Sequence, residues 1–339
     1  MSRLRWSLLP SVLWLLTGSC QDIAEVDLSC EGSVAVYSSF HRSLVGTIDQ
    51  IDGGLVMCRA GYDQVMVVTS SGLLHRLGVG NCTLDATTQL PLSPAFGGNI
   101  LTVPAAENYV YVLCSGGTVL EVRRSDMQVC DAFTVGSCPS SICSSSDGMY
   151  LYVTDSADMV VRKIWELTHE IVLEVPLPYP PVDMITAPGT NRTLGLCGDG
   201  QGSYAGATFQ MNWVPGQGGI GCDTLGTLTD IATMEGGELM HSYVTDITSR
   251  CIISMGTYNL RPQEYHPVQG IPTCVCGVPG SGDVWACSYD PAARVSHLYI
   301  IDGNIDEIIW HRTIPGYARD IIADVSGQYV LVLMAEENN

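Results

Sequence analysis

DGMYLYVTDSADMVVRKI, residues 147–164, decides the fold. MYLYVT is rich in β-branched and aromatic residues, and the DG before it supplies a turn. Ser-Ala-Asp then separates it from VVRKIW, a second strand-like run. SSICSSS lies before the DG and EIVLEVPL after the pair. The unit is therefore four short strands joined by three turns.

The unit recurs. YVTD stands at 152–155 and again at 243–246, two units apart. Looser copies of the same strand are QVMVVTS (64–70), YVYVLCS (109–115), RTLGLCG (192–198), DVWACS (283–288) and QYVLVLM (328–334). Taking Val67, Tyr111, Tyr152, Leu194, Tyr243, Ala286 and Leu331 as equivalent gives steps of 44, 41, 42, 49, 43 and 45 residues. That period fits one four-stranded propeller blade. Each copy follows its own inner-strand candidate: LVMCRA, ILTVPA, SSICSS, DMITAP, DIATME, CVCGVP and DIIADV.

The seventh unit stops after two strands, while SVAVYS and SLVGTIDQI stand unpartnered near the start. The expectation is an all-β, seven-bladed β-propeller whose last blade is closed by N- and C-terminal strands, which removes exposed sheet edges. YVTD with a DG turn before it and V-x-x-I after it resembles the YVTN repeat of seven-bladed β-propellers in bacterial envelope proteins. The resemblance covers residues 30–339 and implies a binding or scaffold role; it carries little chemistry with it.

The N-terminus reads as an address. MSRLR is a positive n-region, WSLLPSVLWLL a short apolar run, and TGSC brings small residues up to Cys20. This resembles the lipobox of bacterial lipoproteins, with Thr17 where that pattern prefers leucine. It implies a signal peptide at 1–19, lipidation of Cys20, a tether at 20–29 and the propeller at 30–339. The alternative is an ordinary signal peptide cut nearby. On either reading the protein is exported, and the resemblance places it in the periplasm or at the outer membrane, with the lipid as its only membrane contact.

Acidic residues outnumber basic ones 35 to 15, and Lys163 is the only lysine. Loss of residues 1–19 removes Arg3 and Arg5 and no acid, taking the charge from −20 to −22. Such a surface repels phosphate backbones, so no nucleic-acid partner is expected. Of the 14 cysteines, Cys58, Cys143 and Cys276 share one repeat position, and Cys114 and Cys197 another. Cysteine there acts as a small buried hydrophobe. A few disulfides at most are expected, with Cys130–Cys138 and Cys276–Cys287 as local candidates.

Searches for chemistry return little. The glycines at 200–202 and 216–219 lack the strand-to-helix context of a dinucleotide loop, and the long glycine-rich stretch 197–223 reads as an extended turn in the fourth unit. No G-x-S-x-G elbow occurs. Cys274 and Cys276 lack the further ligands of a zinc spacing. The seven histidines are spread singly, and His41 and His169 fall in the same outer turn, which points to a solvated role.

What remains is the ring face built from inter-blade loops and the loops between second and third strands. The latter carry Asp155, Asp199, Asp246 and Asp290. The former carry Asp183, Asp230 and Asp320, each just before an inner strand, with Phe96, Tyr179, Tyr317 and Arg319. Aspartates at such positions commonly cap turns. Alternatively they form an acidic, aromatic-flecked rim for a cation or basic peptide. The leading expectation is a non-catalytic, monomeric ring that presents loops to a protein, peptide or glycan, without a cofactor. The rival is a lactonase-like or quinoprotein-like enzyme with a metal or quinone at the ring axis, calcium on the convergent aspartates being one form of that site.

Overall fold

In the computed structural model the described residues are 32–335, apart from 105–107, 189, 191, 199–205, 212–217, 235–240 and 258. The leader, Cys20 and Asp199 lie outside them. Twenty-eight strands form seven four-stranded antiparallel sheets, and no helix occurs among the described residues. The inner strands of blades one to seven are Gly54–Arg59, Leu101–Thr102, Pro139–Ser144, Pro181–Thr186, Leu228–Thr233, Ile271–Gly277 and Tyr317–Ala323. Each lies against its neighbour, and the seventh lies against the first, which closes the ring.

The opening stretch is the middle of the third blade. Its strands run Pro139–Ser144, Tyr150–Asp155, Val160–Trp165 and Ile171–Pro176, from the axis outward. In the seventh blade the outer two strands come from the other end of the chain. Ser33–Ser38 pairs antiparallel with Tyr329–Ala335 over six residue pairs, from Ser33↔Met334 to Ser38↔Tyr329, and Ser43–Ile48 forms the outside edge. The expected closure is present.

Second strands are buried on both faces because blades pack face to face. Tyr111, Tyr243 and Trp285 are among the largest fully buried side chains. That double burial erases the period-2 alternation that fixes register in a sequence. The pairing Val56↔Val68, Ser141↔Thr154 and Cys274↔Cys287 makes Met66 and Trp285 the true counterparts of Tyr152, not Val67 and Ala286. The repeat was legible and two of its registers were off by one.

A second device locks the blades. The turn between third and outer strands places one non-glycine residue in the left-handed region: Arg42, Cys82, Met127, His169, Leu260 and Asp306, with φ between 48° and 59°. This backbone costs about 1 kcal/mol per residue. The side chain is thereby pegged onto the preceding blade. Cys82 sits against Gly46, where any Cβ would crowd its sulfur. Met127 and Leu260 are buried in apolar clusters with residues of the preceding blade. His169 stacks on Phe133 at 4.0 Å, and its Nε2 lies 3.0 Å from Glu121. His169 is thus an inter-blade contact rather than a solvated residue, and it matches Arg42 rather than His41.

Histidines also meet across strands. His297 and His311 approach to 3.2 Å, and His266 lies 3.0 Å from Asp306. Their spacing in sequence hid these contacts.

The two local disulfide candidates, Cys130–Cys138 and Cys276–Cys287, are overturned, since all four cysteines are free thiols. Cys130 lies near the start of the outer strand Gln128–Thr134, whereas Cys138 precedes the innermost strand of the next blade, so strand length and blade width separate them. Cys276 faces Trp285, and Cys287 faces Cys274 instead.

Candidate functional site

The inner strands surround an axial cavity of about 660 Å3, a size suited to a small ligand. Its polar wall is made by a repeated local feature. In blades one and three to seven the pairing register slips within the first residues of the inner strand, a bulge that re-aims the side chain after it. The residues so placed include Val56, Asp183, Asp230, Cys274 and Asp320, all of which line the cavity.

Each axial aspartate is held by backbone. Asp320 accepts the N–H of Ile321 at 2.8 Å and that of Met57, in the first blade, at 2.6 Å. Asp230 accepts the N–H of Ile231 at 2.8 Å and that of Val275, in the sixth blade, at 2.7 Å. Asp183 accepts the Asn99 N–H at 2.8 Å and the Ser141 hydroxyl at 2.9 Å. These carboxyl groups splice neighbouring blades where their inner strands begin.

Burial pushes all three acids up. Asp320 is raised to about 7, opposed by bonds from Met57 and Ile321. Asp183 and Asp230 both line the cavity and influence one another's ionisation. Burial raises both, and the Asp183 charge raises Asp230 further.

Asn99 reaches the cavity by an excursion. The Ala95 N–H donates to the Leu113 carbonyl, and the Leu113 N–H donates to the Ile100 carbonyl, so residues 96–99 loop out of a single strand position. Gly97, Gly98 and Asn99 line the cavity as a result. Glycine is required at 98, because a Cβ there would overlap the Asp183 carboxyl group.

Two arginines complete the wall. Arg319 donates from Nε to the Leu55 carbonyl at 3.1 Å. Arg59, last in its strand, donates to the carbonyls of Ala323 at 2.7 Å and Gly277 at 3.0 Å, each also the last of its inner strand. Arg59 therefore ties three strand ends together on the far side of the axis. Tyr289 and Tyr317 pack edge to face, with centroids 5.0 Å apart.

Of the residues expected from sequence, Asp183, Asp230, Tyr317, Arg319 and Asp320 meet at this cavity. Phe96 is exposed at the tip of the excursion, and Tyr179 packs against the cluster around Met184 and Phe209. Asp155 is fully buried. It accepts the N–H groups of Ser137 (2.8 Å), Ala157 (3.0 Å) and Asp158 (3.1 Å) and pairs with Arg162 at 3.1 Å. Asp246 likewise accepts the N–H groups of Gly226 (3.1 Å) and Thr248 (2.9 Å), and Asp290 caps its own turn through Ala292 (2.9 Å). Sequence reasoning missed Asn99, Tyr289 and Arg59; the GG pair before Asn99 was the one available signal. Among the described residues no group of three acid, histidine or cysteine side chains is arranged to hold a metal ion.

No protein-family model and no curated protein matches the sequence. Solved structures do resemble it. U3-55K superposes with a TM-score of 0.69 at 11% identity, over 84% of this chain and 89% of that one. The WD40 repeats of RRP9 give 0.68 at 12%, over 84% and 88%. Dihydro-heme d1 dehydrogenase NirN, solved in complex with DHE, gives 0.61 at 12%, over 89% of this chain and 68% of that one. At such identities the likeness is one of fold. It spans WD40 proteins and enzymes alike.

Proposed function

We propose that the chain is an exported binding propeller of the bacterial cell envelope, tethered by lipid at Cys20, with the axial cavity as its ligand site. The single observation behind this reading is the cavity itself. It is preformed, and its wall is a mixture of apolar strand residues with a few anchored polar groups, the composition expected of a small-molecule or peptide-end site. The YVTN-like repeat and the leader support the envelope address. Phe96, exposed beside the mouth, extends the contact surface to larger partners.

The test is a ligand-observed NMR screen of sugars and short peptides against the full chain. Binding signals are expected from the wild type and are expected to vanish in Thr273→Trp, which fills the cavity. An empty screen, or binding that survives the plug, overturns the reading. Cys20→Ser is expected to move the protein from the membrane to the soluble fraction, and unchanged fractionation removes the anchor.

One observation favours an enzyme as the second reading: two buried carboxyl groups, those of Asp183 and Asp230, line one cavity, and paired buried acids are the apparatus of acid–base catalysis. Under it, Asp230→Asn abolishes turnover while leaving ligand binding in place. Loss of binding without any measurable turnover in the wild type leaves the binding reading alone.

A further inference from the structure

Three side chains on the cavity wall have hydrogen-bonding capacity to spare. The Nε of Arg319 is committed to Leu55, and its two terminal nitrogens have no partner among the described residues. The Tyr317 hydroxyl also has none, although its ring is propped by Tyr289. Asn99 uses its backbone fully, donating to Asp183 at 2.8 Å and accepting from the Ile142 N–H at 2.6 Å, while its side-chain amide stays uncommitted. Arg319 and Tyr317 belong to the seventh blade; Asn99 lies beside Asp183 of the fourth, farther round the ring.

The chemistry of these groups is uneven. A guanidinium only donates and so selects an anion. A phenol and an amide each donate and accept, which is also what a sugar hydroxyl does, and the carboxyl oxygens of Asp183 and Asp230 add acceptors to the same cavity. A phosphate or sulfate needs several donors, but one guanidinium with free nitrogens is present and Asp320 stands next to it. A cationic ligand would need ionised carboxylates, whereas burial disfavours charge on all three axial acids.

Building on the reading of the cavity as a ligand site, we propose that its ligand is a carbohydrate acid. Its carboxylate meets Arg319 and Tyr317, and its hydroxyls meet Asn99 and the Asp183–Asp230 pair. Recognition is reversible and involves no covalent step.

Ligand-observed NMR titrations of the full chain with D-glucuronate, D-glucose and acetate separate the contributions. Glucuronate is expected to bind at least about tenfold more tightly than glucose, the worth of one charge-assisted bond, and acetate is expected not to compete. Arg319→Gln keeps an N–H toward Leu55 and is expected to bring glucuronate down to the glucose level. Tyr317→Phe, which leaves the ring packing intact, is expected to weaken glucuronate several-fold. The assignment is overturned if glucuronate does not bind, if it binds no better than glucose, if Arg319→Gln leaves that preference unchanged, or if acetate competes fully. Should another compound bind and be lost on plugging with Thr273→Trp while glucuronate fails, the ligand class falls and the cavity's binding role stands.

Discussion

The hydroxyl of Tyr243 donates to the carboxylate of Asp306 at 3.0 Å, joining the fifth blade to the sixth. Tyr111 repeats the relationship from the second blade to the third, donating to Glu166 at 2.8 Å. Asp306 also takes the Ser254 hydroxyl and lies 3.0 Å from His266 Nε2. Burial pulls its pKa up, but the bonds from His266 and Ser254 outweigh this and hold it below the usual carboxylate range.

Asp306→Asn tests that junction, because Asn tolerates the left-handed backbone there. A depressed folded-state pKa contributes stability above the unfolded value and loses it as pH falls through the folded value. The variant is expected to be less stable by about 1–3 kcal/mol at pH 7, with the gap narrowing at pH 3. Urea unfolding at the two pH values reads it, and an equal gap at both contradicts the assignment.

Arg162 is nearly buried and pairs with Asp155 at 3.1 Å, Asp158 at 2.6 Å and Glu174 at 2.7 Å. Arg162→Met strands the buried Asp155 carboxylate, at a cost of about 3–5 kcal/mol. Arg162→Lys is expected to recover only part of this, since one ammonium cannot span three acids. Thermal unfolding ranks the three proteins; a lysine variant as stable as the wild type defeats the argument.

Asp320 titrates in the opposite sense. Its pKa is raised, so the folded chain holds a proton that the unfolded chain releases above about pH 4. Stability from this group is present at low pH and is lost as pH rises toward its value of about 7. Asp320→Asn gives up one acceptor, yet it is expected to flatten the fall in stability between pH 5 and 8. The charged and titratable groups that act on it across the cavity are Asp183, Asp230 and Arg319. Parallel curves for variant and wild type would show that Asp320 is ionised throughout.

Ring closure has its own test. Removing residues 32–51 strips Tyr329–Ala335 of its partner strand and leaves an apolar edge exposed. The truncated chain is expected to elute as oligomers or aggregates in size-exclusion chromatography. A cooperative monomer with an unchanged Tm would mean that the seventh blade is complete without its N-terminal half.

The ring was legible because its signal is periodic: a DG turn, a β-branched run and a short turn recur at blade spacing. Register was not always legible, since Met66 and Trp285 lie in runs buried on both faces. At the axis, Asp183, Asp230 and Asp320 could be located just before their inner strands. Their splicing bonds depend on blades far apart in sequence. Asn99 was hidden because an excursion of residues 96–99 has no periodic signature. The pegs were hidden for another reason: Cys82, Met127, His169, Leu260 and Asp306 share a backbone conformation and no chemistry.

That lack of common chemistry has an evolutionary consequence. A thiol pressed against Gly46, an imidazole stacked on Phe133 and a carboxylate received by Tyr243 and His266 each fit one upstream neighbour. Blades of this chain are therefore not interchangeable bricks. Duplicating or shuffling one would seat a key in the wrong lock, so the sequential order of the seven units is itself encoded in the turns.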